Sequence, residues 1–127
     1  MKLVDSSGWL EFFTAGPLVD VYASHLKNLH EVITPTIVLY EVYKVIKRQR
    51  SEEEALAAAA QMGKTRIVPL TDMIALTAAD VSLAHQLAMA DAVVFATALT
   101  EGATLLTSDS DLAALPGVTY LKKPGVC

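Results

Sequence analysis

What most constrains this chain is an alternation. Short apolar runs, each bounded by turn-forming residues, recur between longer segments whose apolar residues repeat at helical spacing. The runs are 2–4 (Lys-Leu-Val), 32–34 (Val-Ile-Thr), 66–70 (Arg-Ile-Val-Pro-Leu), 104–107 (Thr-Leu-Leu-Thr) and 118–121 (Val-Thr-Tyr-Leu), and they read as strands. Most lack the polar alternation of a strand with one wet face, so both faces are expected to be covered. Helical segments fall between them, at roughly 8–14, 17–29, 36–49, 52–62, 72–87 and 91–101. This order predicts an α/β fold, with a mainly parallel central sheet of four to five strands flanked by helices and joined by right-handed crossovers. The charge switch from 44–50 (Lys-Val-Ile-Lys-Arg-Gln-Arg) to 52–54 (Glu-Glu-Glu) marks a helix-to-helix turn, with Ser51 as N-cap and Glu54 at the third helical position.

A chain of 127 residues is read as one domain, 1–127. With 53% hydrophobic and 19% charged residues it can build a core, which excludes intrinsic disorder. A core of that size needs neither disulfide nor structural metal. The mean hydropathy of +0.40 raises the question of a membrane span. Asp, Glu, Lys or Arg interrupts every candidate run before 18 apolar residues accumulate, which excludes a transmembrane helix. Asp5 cuts short any signal-like apolar run at the start, so a cytoplasmic location is expected. The one cysteine, Cys127, allows neither an internal disulfide nor a cysteine-based zinc site. A net charge of −4 argues against a simple basic nucleic-acid binder, unless some of the acids serve as metal ligands.

The positions of those acids carry the chemistry. Open parallel sheets bind ligands beyond the carboxyl ends of their strands. Asp5 closes the first strand, and Asp109 and Asp111 follow the fourth. Glu41 lies in the helix after the second strand, and Asp91 near the start of the helix leading to the fourth. In the 36–49 helix Leu39, Val42, Tyr43 and Ile46 share one stripe. Glu41 sits about 100° from Val42, at the flank of that stripe. Asp91 stands in a segment that is apolar almost all round, where a carboxylate is costly unless it is capped, paired or bound to a cation. Local explanations compete with a shared site: Asp91 as a helix cap, Ser7 as the cap of the helix carrying Trp9, Phe12 and Phe13, and Asp109-Ser110-Asp111 as an Asx turn. Isolated caps give no reason for a mid-helix Glu41 to accompany them at the same rim.

Taken together, these segments resemble a known family. Leu3-Val4-Asp5-Ser6-Ser7-Gly8-Trp9-Leu10 is similar to the opening strand and turn of PIN-domain ribonucleases. Thr34-Pro35-Thr36 with Glu41-Val42 resembles the second motif, His85-Gln86-Leu87-Ala88-Met89-Ala90-Asp91-Ala92 the third, and Leu106-Thr107-Ser108-Asp109-Ser110-Asp111 the fourth. The ordered set spans the chain and is most similar to VapC toxins of toxin–antitoxin pairs. Ser6 stands where Thr is commoner, Gly8 where a larger apolar residue is usual, and Leu112 where Phe often follows; none of these departures removes a carboxylate.

The resemblance implies a metal-dependent endoribonuclease that hydrolyses RNA phosphodiesters to 5′-phosphate and 3′-hydroxyl ends. It implies Asp5, Glu41, Asp91 and Asp109 as the main acids, Asp5 and Asp91 as direct metal ligands, and Glu41 and Asp109 binding directly or through water. Asp111 is a secondary member, and Ser7 and Thr107 are hydrogen-bond partners of the ligands. Hard oxygen donors without cysteine or a matched histidine pair favour Mg²⁺ or Mn²⁺ over zinc. The expected partners are an RNA substrate, a cognate antitoxin that covers the site, and a second copy of the chain. Lys44 and Arg48 lie at i+3 and i+7 from Glu41 and are RNA-contact candidates. Lys47 and Arg50 fit a solvated helix C-terminus. His25, His30 and His85 lack metal-ligand spacing, Tyr40 and Tyr43 are expected to pack, and Met62, Met73 and Met89 to lie in a core or interface. The rivals are a catalytically silent binding module of the same fold and a phosphoacceptor receiver domain. The receiver reading fails at strand one, where a receiver needs adjoining acids and Asp5 is followed by two serines; an Asp-x-Asp phosphatase fails there too.

Overall fold

The computed structural model describes residues 1–124; Cys127 lies outside them. Five strands and six α-helices alternate: β1 (Lys2–Val4), α1 (Ser6–Phe13), α2 (Val19–His25), β2 (Val32–Pro35), α3 (Thr36–Gln49), α4 (Glu52–Met62), β3 (Arg66–Val68), α5 (Asp72–His85), α6 (Met89–Glu101), β4 (Thr104–Thr107) and β5 (Val118–Tyr120). Short 3-10 turns occupy Leu29–Glu31 and Ser110–Leu112. The strands form one sheet in the order β3-β2-β1-β4-β5, and every neighbouring pair is parallel.

The central strands are buried on both faces, as their unbroken apolarity requires: Leu3, Val4, Ile33, Leu105 and Leu106 are all at most 2% exposed. Helix α6 is the most deeply sunk. Ala92 through Ala98 are buried all round, which explains the lack of an amphipathic pattern there. Among the described residues no single helix is long and apolar enough to cross a membrane.

Helices α3 and α4 match the expected 36–49 and 52–62. Ser51 caps α4 as expected, its Oγ accepting from Glu54 N at 3.0 Å. The differences at other ends have local causes. β3 stops at Val68 rather than 70, because Pro69 has no N–H to continue the ladder. α2 is shorter than the 17–29 segment, since Asn28 redirects the chain by accepting from His30 N at 3.1 Å. α1 begins at Ser6 rather than 8, with Asp5 in the capping position. Asp5 makes no capping bond, because its carboxylate is engaged elsewhere. Ser7 is inside the helix and is not its cap. α6 starts at Met89 after Ala88, so Asp91 is the third residue of the helix and not its cap.

Met62 is core, at 0% exposed, whereas Met73 and Met89 are 65% and 76% exposed. Tyr40 does not pack inside: it is 60% exposed, with Lys44 Nζ 5.4 Å above its ring. Gly8 lies against Tyr22, whose buried ring fills the room that a larger residue at position 8 would need.

Candidate active site

The strand order places the site. From β1 the chain first builds outward through β2 and β3, then returns to β4 and β5 on the other side. The connections leaving β1 and β4 therefore part in opposite directions, and a crevice opens at the carboxyl ends of these two strands. Asp5 and Asp109 are the residues that the chain delivers there.

Asp5 is 3% exposed, and its backbone N–H is tied to Leu106 O at 3.0 Å. Thr107 Oγ1 donates to Asp5 Oδ2 at 2.9 Å and accepts from Asp109 N at 2.9 Å. Ser7 Oγ lies 3.4 Å from the same Asp5 oxygen and 3.3 Å from Thr107 Oγ1, and accepts from Ser108 N at 2.9 Å. Ser7 and Thr107 thus stitch the end of β1 to the loop after β4 and fix the orientation of the Asp5 carboxylate. Tyr22 Oη, 2.7 Å from Ser108 Oγ, braces the same loop. Burial, together with the neighbouring Asp5 and Glu11, pushes the Tyr22 phenol up to about 12, so it stays a neutral hydrogen-bonding group.

Asp109 Oδ1 accepts from Asp111 N at 2.9 Å, the Asx geometry suggested by the sequence, and this turn brings the two carboxylates to the same side. Asp91, Asp109 and Asp111 each present an oxygen, and the three atoms lie within 4.8 Å of one another. Asp111, secondary in the sequence reading, is thus part of the compact trio. Asp5 and Glu41 border it and interact with it through charge.

That charge is uncompensated. None of the four ion pairs among the described residues involves these five acids. Burial raises Asp5 above its ordinary range, with Asp109 adding to the shift while Thr107 and Ser7 oppose it. Burial also raises Glu41, reinforced by Asp5 and Asp109 and opposed by a hydrogen bond from Ser6. Asp91 is pushed up to about 7, first by burial and then by Asp109, Asp5 and Asp111. Carboxylates crowded this way retain protons unless a cation joins them. All-oxygen donors at this spacing fit a hard divalent ion.

Lys44 and Arg48 are exposed on α3 and line an open hollow of about 710 Å³ with Thr36, Tyr40 and Tyr43. Lys47 and Arg50 are paired with Glu52 at 3.2 Å and Glu54 at 3.6 Å, whereas Lys44 and Arg48 have no ion pair among the described residues. Sequence reasoning missed three neighbours of the site. Ser6 lies beside Glu41 and favours its charged form, and Tyr22 carries no motif that would have marked it. His85 was set aside for want of ligand spacing, yet it shares a small polar cleft with Asp91 and Asp111.

The profile of the PIN domain family matches residues 2–118. No curated protein sequence matches the chain. Among solved structures, a toxin–antitoxin complex from Klebsiella pneumoniae superposes with a TM-score of 0.79 at 21% identity, covering 94% of this chain and 96% of that one. Mycobacterium tuberculosis VapC20, a toxin that cleaves the sarcin–ricin loop, gives 0.74 at 23% identity over 93% and 98%. VapBC2 from Rickettsia felis, bound to a promoter DNA fragment, gives 0.77 at 15% identity over 95% and 97%. At these identities the structures establish a shared fold.

Proposed function

The chain belongs to the PIN domain family, and from that premise we propose that it is a divalent-metal-dependent endoribonuclease, the toxin of a toxin–antitoxin pair. The observation that carries the reading is the uncompensated acid cluster at the β1/β4 switch point, with three carboxylate oxygens within 4.8 Å and Asp5 locked beside them by Thr107. A silent binding module would have no need to hold so many unpaired acids together, since each raises the cost of folding without a cation.

In this reading Asp91, Asp109 and Asp111, joined by Asp5, would hold Mg²⁺ or Mn²⁺, with Glu41 at the border. The ion, when bound, supplies charge neutralisation at the scissile phosphate and activation of the attacking water. The protein does the rest. Thr107 and Ser7 keep the Asp5 carboxylate in one orientation, so no reorganisation is needed as charge develops. Glu41, raised by burial and by the neighbouring Asp5 and Asp109, exchanges a proton with water at its carboxylate. Lys44 and Arg48 attract the phosphates flanking the cut, which gives local attraction to RNA despite a net charge of −4. Water adds to phosphorus and the P–O3′ bond breaks, leaving a 5′-phosphate and a 3′-hydroxyl.

Association with protein partners is supported by the outer face of α5 and its flanks. Leu70, Met73, Leu76, Leu83 and Met89 are 52–83% exposed, a row too apolar to face water alone. We assign it to a second copy of the chain, with an antitoxin covering the acids.

The test is incubation of a mixed tRNA and ribosomal RNA pool with purified, antitoxin-free protein, in Mg²⁺ or Mn²⁺ and in EDTA. Discrete cuts bearing 5′-phosphates, abolished by EDTA and by Asp91→Asn, are expected. Absence of metal-dependent cutting by folded wild-type protein would move the weight to the silent module.

A further inference from the structure

A cleft of about 260 Å³ opens beside the acid trio, walled by His85, Gln86, Leu87, Ala88, Asp91 and Asp111. At ~30 Å³ per water its volume is that of roughly nine waters, which is room for one base or ribose. Two of its walls are ligand candidates for the metal, so whatever sits in it lies next to the reacting phosphate.

The loop forming the outer wall is built to stay in place. Gln86 adopts the left-handed conformation, φ 57° and ψ 43°, which costs a non-glycine residue roughly 1 kcal/mol or more. Ser82 clamps the turn: its Oγ donates to Leu87 O at 2.8 Å, and its carbonyl accepts from Leu87 N at 3.3 Å. The His85 ring stands edge-on to buried Phe95 with centroids 6.2 Å apart. Two exposed side chains, each able to both donate and accept hydrogen bonds, are therefore held on a rigid turn at the mouth of the site.

Resting on the nuclease reading above, we propose that this cleft seats the base of the nucleotide adjoining the scissile phosphate, and that His85 and Gln86 read its edge and set the sequence at the cut. Sequence-specific recognition of unpaired RNA works through such hydrogen bonds to splayed-out bases. A pocket with fixed donors and acceptors rejects a base that leaves them unpaired. Carboxylates holding a metal are indifferent to base identity, and in the reading above Lys44 and Arg48 serve the phosphates. His85 and Gln86 are the hydrogen-bonding side chains, other than the acids, that line this cleft.

The experiment compares wild type, His85→Ala and Gln86→Gly on a randomised single-stranded RNA library, reading the cut sites by sequencing. Gln86→Gly removes the amide while suiting the left-handed backbone, so its fold is not at risk. At one position flanking the cut, base discrimination is expected to drop at least tenfold in each variant, with Mn²⁺ affinity unchanged within twofold. An unchanged cut-site profile in both variants overturns the subsite and leaves the nuclease reading standing. A second arm, in Ca²⁺, crosslinks wild type to RNA carrying 4-thiouridine and locates the adduct. Adducts within residues 83–90 support the subsite even if the wild type proves unable to cut, a result that would overturn the nuclease reading alone. Adducts found only elsewhere overturn the subsite.

Discussion

Replacing Asp91 with asparagine keeps the shape of the side chain and removes one charge from a cluster that holds too many. In the metal-free fold the Asp91 carboxyl is pushed up to about 7, against an ordinary 3.8, by burial and then by Asp109, Asp5 and Asp111. That gap is worth about 4 kcal/mol for a fully shielded group. Asp91 is only half-buried, and water screening reduces the figure to about 1–2 kcal/mol. A carboxyl raised on folding contributes stability that is fully present below about pH 3.8 and lost as pH rises through about 7. Asp5 and Glu41, both raised chiefly by burial, act in the same direction. Urea unfolding of wild type in EDTA should therefore show stability falling by about 1–2 kcal/mol or more from pH 5 to pH 8. In Asp91→Asn the share of this slope due to Asp91 should vanish, leaving the shallower fall set by Asp5 and Glu41 and making the variant the more stable protein at pH 8. Mn²⁺ at a hundredfold excess over its Kd should add about 2.7 kcal/mol to wild type and much less to the variant. Parallel curves for the two proteins in EDTA between pH 5 and 8 would refute the reasoning, because no repulsion would then be relieved.

Four further outcomes follow from the geometry. Thr107→Val removes the hydroxyl that both orients Asp5 and accepts from Asp109 N; activity should fall by about 10–100-fold, as measured by initial cleavage rates at saturating metal. Reversing Lys44 and Arg48 to glutamate should weaken RNA binding and lower the slope of log K against log salt by about 1.4, measured by fluorescence anisotropy. Gly8→Ala sets a methyl group against the Tyr22 ring and 2.7 Å from Val4 Cγ1; thermal or urea melts should show a loss of about 1–3 kcal/mol. Leu76→Asp with Leu83→Asp on the exposed face of α5 should convert a dimer to a monomer by light scattering, while leaving the circular dichroism spectrum unchanged.

The fold was legible because its signals were local. Continuous apolarity marked β1, β2 and β4, and the charge reversal with Ser51 marked the α3–α4 turn to the residue. Element ends were harder, since they are set by long-range bonds. Ser7 reads locally as a helix cap, but its Oγ accepts from Ser108 N, and the Asp5 carboxylate accepts from Thr107 Oγ1, both partners lying about a hundred residues away. Strand order has no local signature, so the sequence placed acids at a sheet rim without showing that β1 and β4 are neighbours there. Asp111 gained weight only through the turn made by Asp109 Oδ1. The His85 cleft depends on a left-handed Gln86, a conformation that no propensity at that position announces.

Diffraction from crystals soaked in Mn²⁺, at wavelengths either side of the manganese edge, tests the central claim most directly. The account predicts an anomalous peak coordinated by oxygens of Asp91, Asp109 and Asp111, reached directly or through water by Asp5, and missing from Asp91→Asn crystals soaked alongside. A wild-type crystal with no peak among these acids, or with its peak elsewhere, would contradict the account.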